Sequence, residues 1–136
     1  MKYLISVKII VIDDDEDTLD VFSTYLEMKH FKVIAKGRDG KEAVELYKQH
    51  KPDVVLLDIM MPHYDGFYAL EKIKEMDSHA KVIVVTGDLT EQTARRLEDL
   101  GATDLLYKPY EIDDVTNVVN CVIEGKKVNV ASLSRR

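Results

Sequence analysis

Cysteine is nearly missing from this sequence: Cys121 is the only one among 136 residues. That excludes an internal disulfide and fits a reducing compartment, the cytoplasm. Long apolar runs are missing too. No segment approaches the length that crosses a bilayer, and the N-terminus lacks the long apolar stretch and small-residue cleavage site of a secretory signal. Positive charge is in deficit, with 19 Lys and Arg against 25 Asp and Glu and a net charge of −6. A general nucleic-acid surface is not expected from that balance. The four histidines, His30, His50, His63 and His79, show no metal-ligand spacing and read as surface residues.

What is present is ordinary for one globular domain: 46% hydrophobic and 32% charged residues. Four short apolar runs stand out, IIVI (9–12), VVLL (54–57), VIVV (82–85) and DLLY (104–107), with a weaker one, FKVIA (31–35). Short, β-branched and mostly continuous, they predict strands covered on both faces. Helical stripes alternate with them. Leu19, Phe22, Tyr25 and Leu26 form the first, Ala43, Leu46 and Tyr47 the second, and Ala69, Leu70, Ile73 and Met76 the third. Ala94, Leu97 and Leu100 form the fourth; Ile112, Val115, Val118, Val119, Val122 and Ile123 form the last, which Gly125 stops. Cys121 falls inside that last pattern and reads as a core residue. Strand and helix thus alternate five times, which predicts a parallel sheet with right-handed crossovers. Residues 126–136, KKVNVASLSRR, read as a tail or the stub of a linker.

In such a sheet, functional groups gather at the carboxyl ends of the strands. The first run ends in Asp13 and Asp14, VVLL in Asp58, VIVV in Thr86 and DLLY in Lys108. Three carboxylates, a hydroxyl and an ammonium are therefore expected at one rim. Clustered carboxylates repel unless a cation joins them, and a hard divalent ion with oxygen ligands, most simply Mg²⁺, meets that need. Such an ion recruits a phosphate, whose other oxygens the ammonium and hydroxyl would hold. One carboxylate can then act as nucleophile and form an acyl phosphate. The chemistry reads as phosphoryl transfer onto Asp58.

The segments VIDDDED, PDVVLLDIMMPHYDGF, VIVVTG and LLYKPY stand in an order and spacing that resemble the receiver domain of two-component response regulators. The resemblance covers roughly residues 7 to 125. It implies a doubly wound α/β domain over residues 1–125, with a five-stranded parallel sheet in order 2-1-3-4-5, the flavodoxin-like (βα)5 arrangement. It implies Asp58 as phosphoacceptor. It implies Mg²⁺ held directly by Asp14, Asp58 and the backbone carbonyl of Met60, with Asp13 acting partly through water. Thr86 and Lys108 would contact the phosphoryl group, and the Lys108–Pro109 bond would be cis. The implied partners are a sensor histidine kinase and a downstream protein that docks on helix 90–100, strand 104–107 and helix 111–124. Such a chain catalyses only its own phosphorylation and dephosphorylation. A receiver cut from a longer regulator and a phosphorylation-independent scaffold of the same fold are the competing readings.

Two rivals for the acidic run fail on position. A calcium loop starting at Asp13 needs glycine at its sixth position and glutamate at its twelfth, where Thr18 and Thr24 stand. A D-x-D-x-T or D-x-D-x-V phosphatase motif meets Asp17 at its fifth position in one register and Glu16 at its third in the other. The remaining acids have a local role. Asp15 is expected to cap the first helix, with Glu16 and Asp17 favoured in its first turn. Asp88 is expected to cap the fourth helix, with Glu91 three residues on, and Asp65-Gly66 to start the third. Against the family pattern, Leu105 stands where receivers commonly carry Tyr or Phe. Tyr107 shares its strand face.

Overall fold

The computed structural model describes residues 6–125; the expected tail, 126–136, lies outside them. Five strands and five helices alternate without exception: β1 (Lys8–Ile12), α1 (Glu16–Met28), β2 (Lys32–Gly37), α2 (Gly40–His50), β3 (Val54–Asp58), α3 (Gly66–Met76), β4 (Val82–Thr86), α4 (Glu91–Asp99), β5 (Asp104–Tyr107) and α5 (Ile112–Ile123). All strands pair in parallel, in the order β2-β1-β3-β4-β5. The reversal of winding falls between β1 and β3, where an open α/β sheet makes its crevice.

Strand alternation divides the core. Ile9 and Val11 of β1 point, with Val54 and Leu56 of β3, into a cluster closed by α1 and α5. Ile10, Ile12, Val55 and Leu57 point the other way, against α2, α3 and Leu97 of α4. Every residue of β3 and β4 is buried, which is why those runs are continuous in apolar character. At the sheet edge, β2 is mostly half-buried, and the weakness of its sequence signal follows from that.

The helix stripes extend less far into the core than their spacing suggests. Tyr25 (47% exposed) and Met76 (44% exposed) lie outside it. In α4 only Leu97 is buried, with Ala94 and Leu100 half-buried. Cys121 is also half-buried, on the flank of α5 rather than its inner face. Among the described residues no helix is long and apolar enough to cross a membrane.

The starts of α1 to α4 follow short polar residues, and α5 follows Glu111, which forms a capping box with Asp114. Asp39 and Asp65 cap α2 and α3 by accepting the backbone N–H of Glu42 and Tyr68 at 2.9 and 3.0 Å. Asp15 stands at the N-cap of α1, but its carboxylate accepts the Thr18 hydroxyl in place of a backbone N–H. The cap of α4 is Thr90, not Asp88. Asp88 instead braces the loop in front of it, accepting the Thr90 N–H at 2.9 Å and the Thr93 hydroxyl at 2.7 Å.

Candidate functional site

The carboxyl ends of β1, β3, β4 and β5 bring together the side chains expected there. Asp58 ends β3 and is buried. Asp13 is buried and Asp14 exposed, and one carboxylate oxygen from each of Asp13, Asp14 and Asp58 lies within 4.8 Å of the other two. From the far side of the rim, Lys108 places Nζ 3.7 Å from Asp58 Oδ1. Thr86, almost fully buried, ends β4. Its Oγ1 accepts the N–H of Asp88 at 3.0 Å, which leaves the hydroxyl hydrogen to be donated elsewhere. The rim is tied together by backbone as well: Lys108 N–H donates to Thr86 O at 2.8 Å, and the Lys108–Pro109 bond is cis.

Electrostatics at the rim are unfavourable without a cation. Burial pushes the Asp58 carboxyl up to about 6; Lys108 opposes this, and the charge of Asp13 adds to it. Lys108 loses that contest because its side chain is 40% exposed, and water screens a 3.7 Å contact. Asp13 is also raised, by burial first, against the pull of the Asp15 N–H that its Oδ1 accepts at 3.0 Å. Met60 donates its N–H to Asp58 Oδ1 at 3.3 Å, and its side chain is exposed. Three oxygen donors within reach of one point, two of them held above their ordinary range, fit a hard divalent ion such as Mg²⁺.

One neighbour, Tyr110, escaped the reading of the sequence, and a second, Gly66, is held more tightly than that reading implied. Tyr110 follows the Lys-Pro pair and packs on Phe22 of α1, with ring centroids 5.6 Å apart. Burial raises its hydroxyl to about 12, and the charges of Asp13 and Asp58 add to that. Only the packing of α1 against the start of α5 brings it to the site. Gly66 was legible as a turn residue, yet its contact is tighter than a turn requires. A Cβ there would lie 2.5 Å from Ile59 Cα and 2.6 Å from the carbonyl oxygen of Asp58. Gly87, by contrast, faces open space. The acids Asp15, Glu16 and Asp17 stay out of the cluster and belong to the start of α1.

A doubly wound parallel sheet with an acidic pocket at its switch point defines a class of signalling and ligand-binding domains. Comparison with known proteins narrows it. The family model of the response regulator receiver domain matches residues 9–120. The chemotaxis protein CheY of Bacillus subtilis is 34% identical over 113 residues, covering 83% of this chain and 94% of its own. CheY of Halobacterium salinarum is 32% identical over 116 residues, covering 85% and 96%. Among solved structures, the CheX-CheY-BeF3-Mg²⁺ complex of Borrelia burgdorferi matches with a TM-score of 0.82 and 32% identity, over 85% of this chain and 88% of that one. A LuxR-family response regulator from Aurantimonas shares the fold, with a TM-score of 0.87 at 21% identity over 95% of both chains. This chain belongs to the response regulator receiver domain family, in its CheY-like form.

Proposed function

We propose that residues 1–125 act as a phosphorylation-controlled protein-interaction module whose phosphoacceptor is Asp58. The donor in this reading is the phosphohistidine of a sensor histidine kinase. Its N–P bond breaks as a carboxylate oxygen of Asp58 bonds to phosphorus, and the imidazole nitrogen is left to take up a proton. Asp14, Asp58 and the carbonyl of Met60 are the direct Mg²⁺ ligands, and Asp13 acts partly through water. Bound Mg²⁺ offsets the repulsion among these carboxylates and the charge of the phosphoryl oxygens. Lys108, half in water, swings from Asp58 to a phosphoryl oxygen. Thr86 donates its uncommitted hydrogen to another. Hydrolysis of the aspartyl phosphate returns the chain to its starting state with no metabolite turned over.

The observation that carries this reading is the Lys108–Asp58 contact of 3.7 Å beside a cluster of three carboxylates. An ordinary acidic surface run accounts for neither the buried acid nor the ammonium brought to it from another strand. The downstream partner is assigned to the face formed by α4, β5 and α5. Incubation with acetyl phosphate and Mg²⁺ tests the chemistry. Intact mass should rise by one labile phosphate in the native chain and stay unchanged in Asp58→Asn. Equal labelling of both would refute the assignment.

A further inference from the structure

Asp13 and the loop after Asp58 are both anchored to a segment that carries none of the proposed ligands: the 37–40 connection, which joins β2 to α2. At its start, the carbonyl of Gly37 accepts the N–H of Asp13 at 3.0 Å. At its end, the N–H of Gly40 donates to the carbonyl of Tyr64, one residue before the cap of α3. That N–H belongs to the first turn of α2, where helix donors have no partner within the helix, so it is available to hold a neighbouring loop. Lys41 adds a second tie, its ammonium lying 5.9 Å from the centroid of the Tyr64 ring.

At position 40 it is closeness, not backbone conformation, that requires glycine. A Cβ there would lie 2.5 Å from the Asp65 carbonyl oxygen and 2.7 Å from that of Tyr64. Both are backbone atoms, so a side chain at this position forces the 59–65 loop away from α2. The connection itself is braced. The Arg38 N–H donates to Glu42 Oε1 at 3.3 Å, and Asp39 caps α2 through the Glu42 N–H at 2.9 Å. Gly37 closes β2 in register with Ile12, the residue before Asp13. A displacement at Tyr64 is therefore not absorbed by the connection. It changes the spacing between the Asp13 side of the acid cluster and the loop that carries Met60.

We propose that the 37–40 connection is a spacer for the metal site, with Gly40 as its positioning residue. It sets where the Met60 carbonyl stands relative to the carboxylates of Asp13 and Asp14, and so how well Mg²⁺ is bound. The inference rests on the Mg²⁺ reading given above and extends it to a segment that offers the ion no ligand. Mg²⁺ demands near-octahedral geometry at short oxygen distances, so a small shift of one ligand is enough to weaken its binding.

Mg²⁺ titrations of the full chain followed by amide NMR test this. In Gly40→Ala the Mg²⁺ dissociation constant should rise about tenfold, the lower end of the usual loss when a group orienting a metal ligand is disturbed. Tyr47→Phe supplies the comparison. It removes the 2.8 Å hydrogen bond from Tyr47 to Asp77 at the far end of α2 and α3 and leaves the 37–40 connection alone. It should lower the urea midpoint and keep the native Mg²⁺ affinity. Native affinity in Gly40→Ala, or an equal loss in Tyr47→Phe, overturns the proposal. The native chain gives a second measurement that needs no variant. Because coupling is reciprocal, bound Mg²⁺ should slow hydrogen exchange at Gly40 more than at Lys51, whose N–H donates to Tyr47 O at 2.8 Å at the other end of α2. Equal slowing at both overturns the proposal. Amide shifts at Asp14 and Asp58 on adding Mg²⁺ separate the two failures. If they are absent, the metal reading falls and this proposal with it. If they are present while Gly40 fails either test, this proposal alone falls.

Discussion

Asp58 sits where three influences meet, and its protonation makes the chain's pH response predictable. Burial and Asp13 carry its carboxyl to about 6, from the ordinary 3.8. The folded, metal-free chain therefore binds a proton that the unfolded chain has released, so stability falls as pH rises between those values and the loss is complete above the upper one. Urea unfolding in EDTA should give a higher midpoint at about pH 5 than at about pH 7.5, with the difference reduced in Asp58→Asn. Mg²⁺ competes with the same proton, so its affinity should weaken as pH falls below about 6. Asp14 tests the cluster from its exposed side. Asp14→Ala should lower Mg²⁺ affinity in a titration while metal-free stability holds or rises, because one repelling charge is gone. An unchanged dissociation constant would remove Asp14 from the ligand set. The acids, Thr86 and Lys108 were legible because each ends an apolar run. Tyr110 was not, since its nearness to Asp13 depends on how α1 packs against α5.

At the scale of elements, each loop carrying a site residue is fixed by a neighbouring helix start. Asp65 caps α3 while the N–H of Gly66 bonds to Ile59 O at 3.1 Å, so the loop after Asp58 is stapled at both ends. Asp65→Ala should cost about 1 kcal/mol in chemical denaturation, the usual loss for an N-cap. Gly66→Ala should cost more, about 1–3 kcal/mol, because its Cβ meets backbone rather than a movable side chain. It should also weaken Mg²⁺ binding by shifting the backbone of Asp58. The start of α3 was readable from Asp65-Gly66, whereas Asp39 as the cap of α2 was not singled out in the sequence. The start of α4 was misjudged because Asp88 and Thr90 are both good caps, and only the loop path shows that Asp88 turns back to Thr90 and Thr93. The edge strand β2 read weakly because a half-buried strand needs fewer apolar residues.

Across the whole molecule, strand order and winding followed from alternation together with family resemblance, since spacing alone does not choose among parallel orders. The response to phosphorylation is a prediction at this scale. About two negative charges arrive at the rim, and Thr86 should move toward them, drawing Gly87, Asp88 and the start of α4 along. Leu105, half-buried on the α4 side of β5, has no ring to rotate. Amide NMR of the Mg²⁺ form with and without beryllofluoride should show shifts spreading through residues 87–108. Shifts confined to the neighbours of Asp13, Asp14 and Asp58 would point instead to a partner that reads the rim directly. A different consequence follows from the strand ends. Asp13 and Lys108 are separated by nearly the whole domain, and they meet only after β4 has paired with both β3 and β5. A chain still being synthesised holds every carboxylate of the cluster before it holds the lysine. Under the proposed function, a copy that ends before Lys108 should therefore take up phosphate from acetyl phosphate more slowly than the full domain, which intact-mass analysis over time would check.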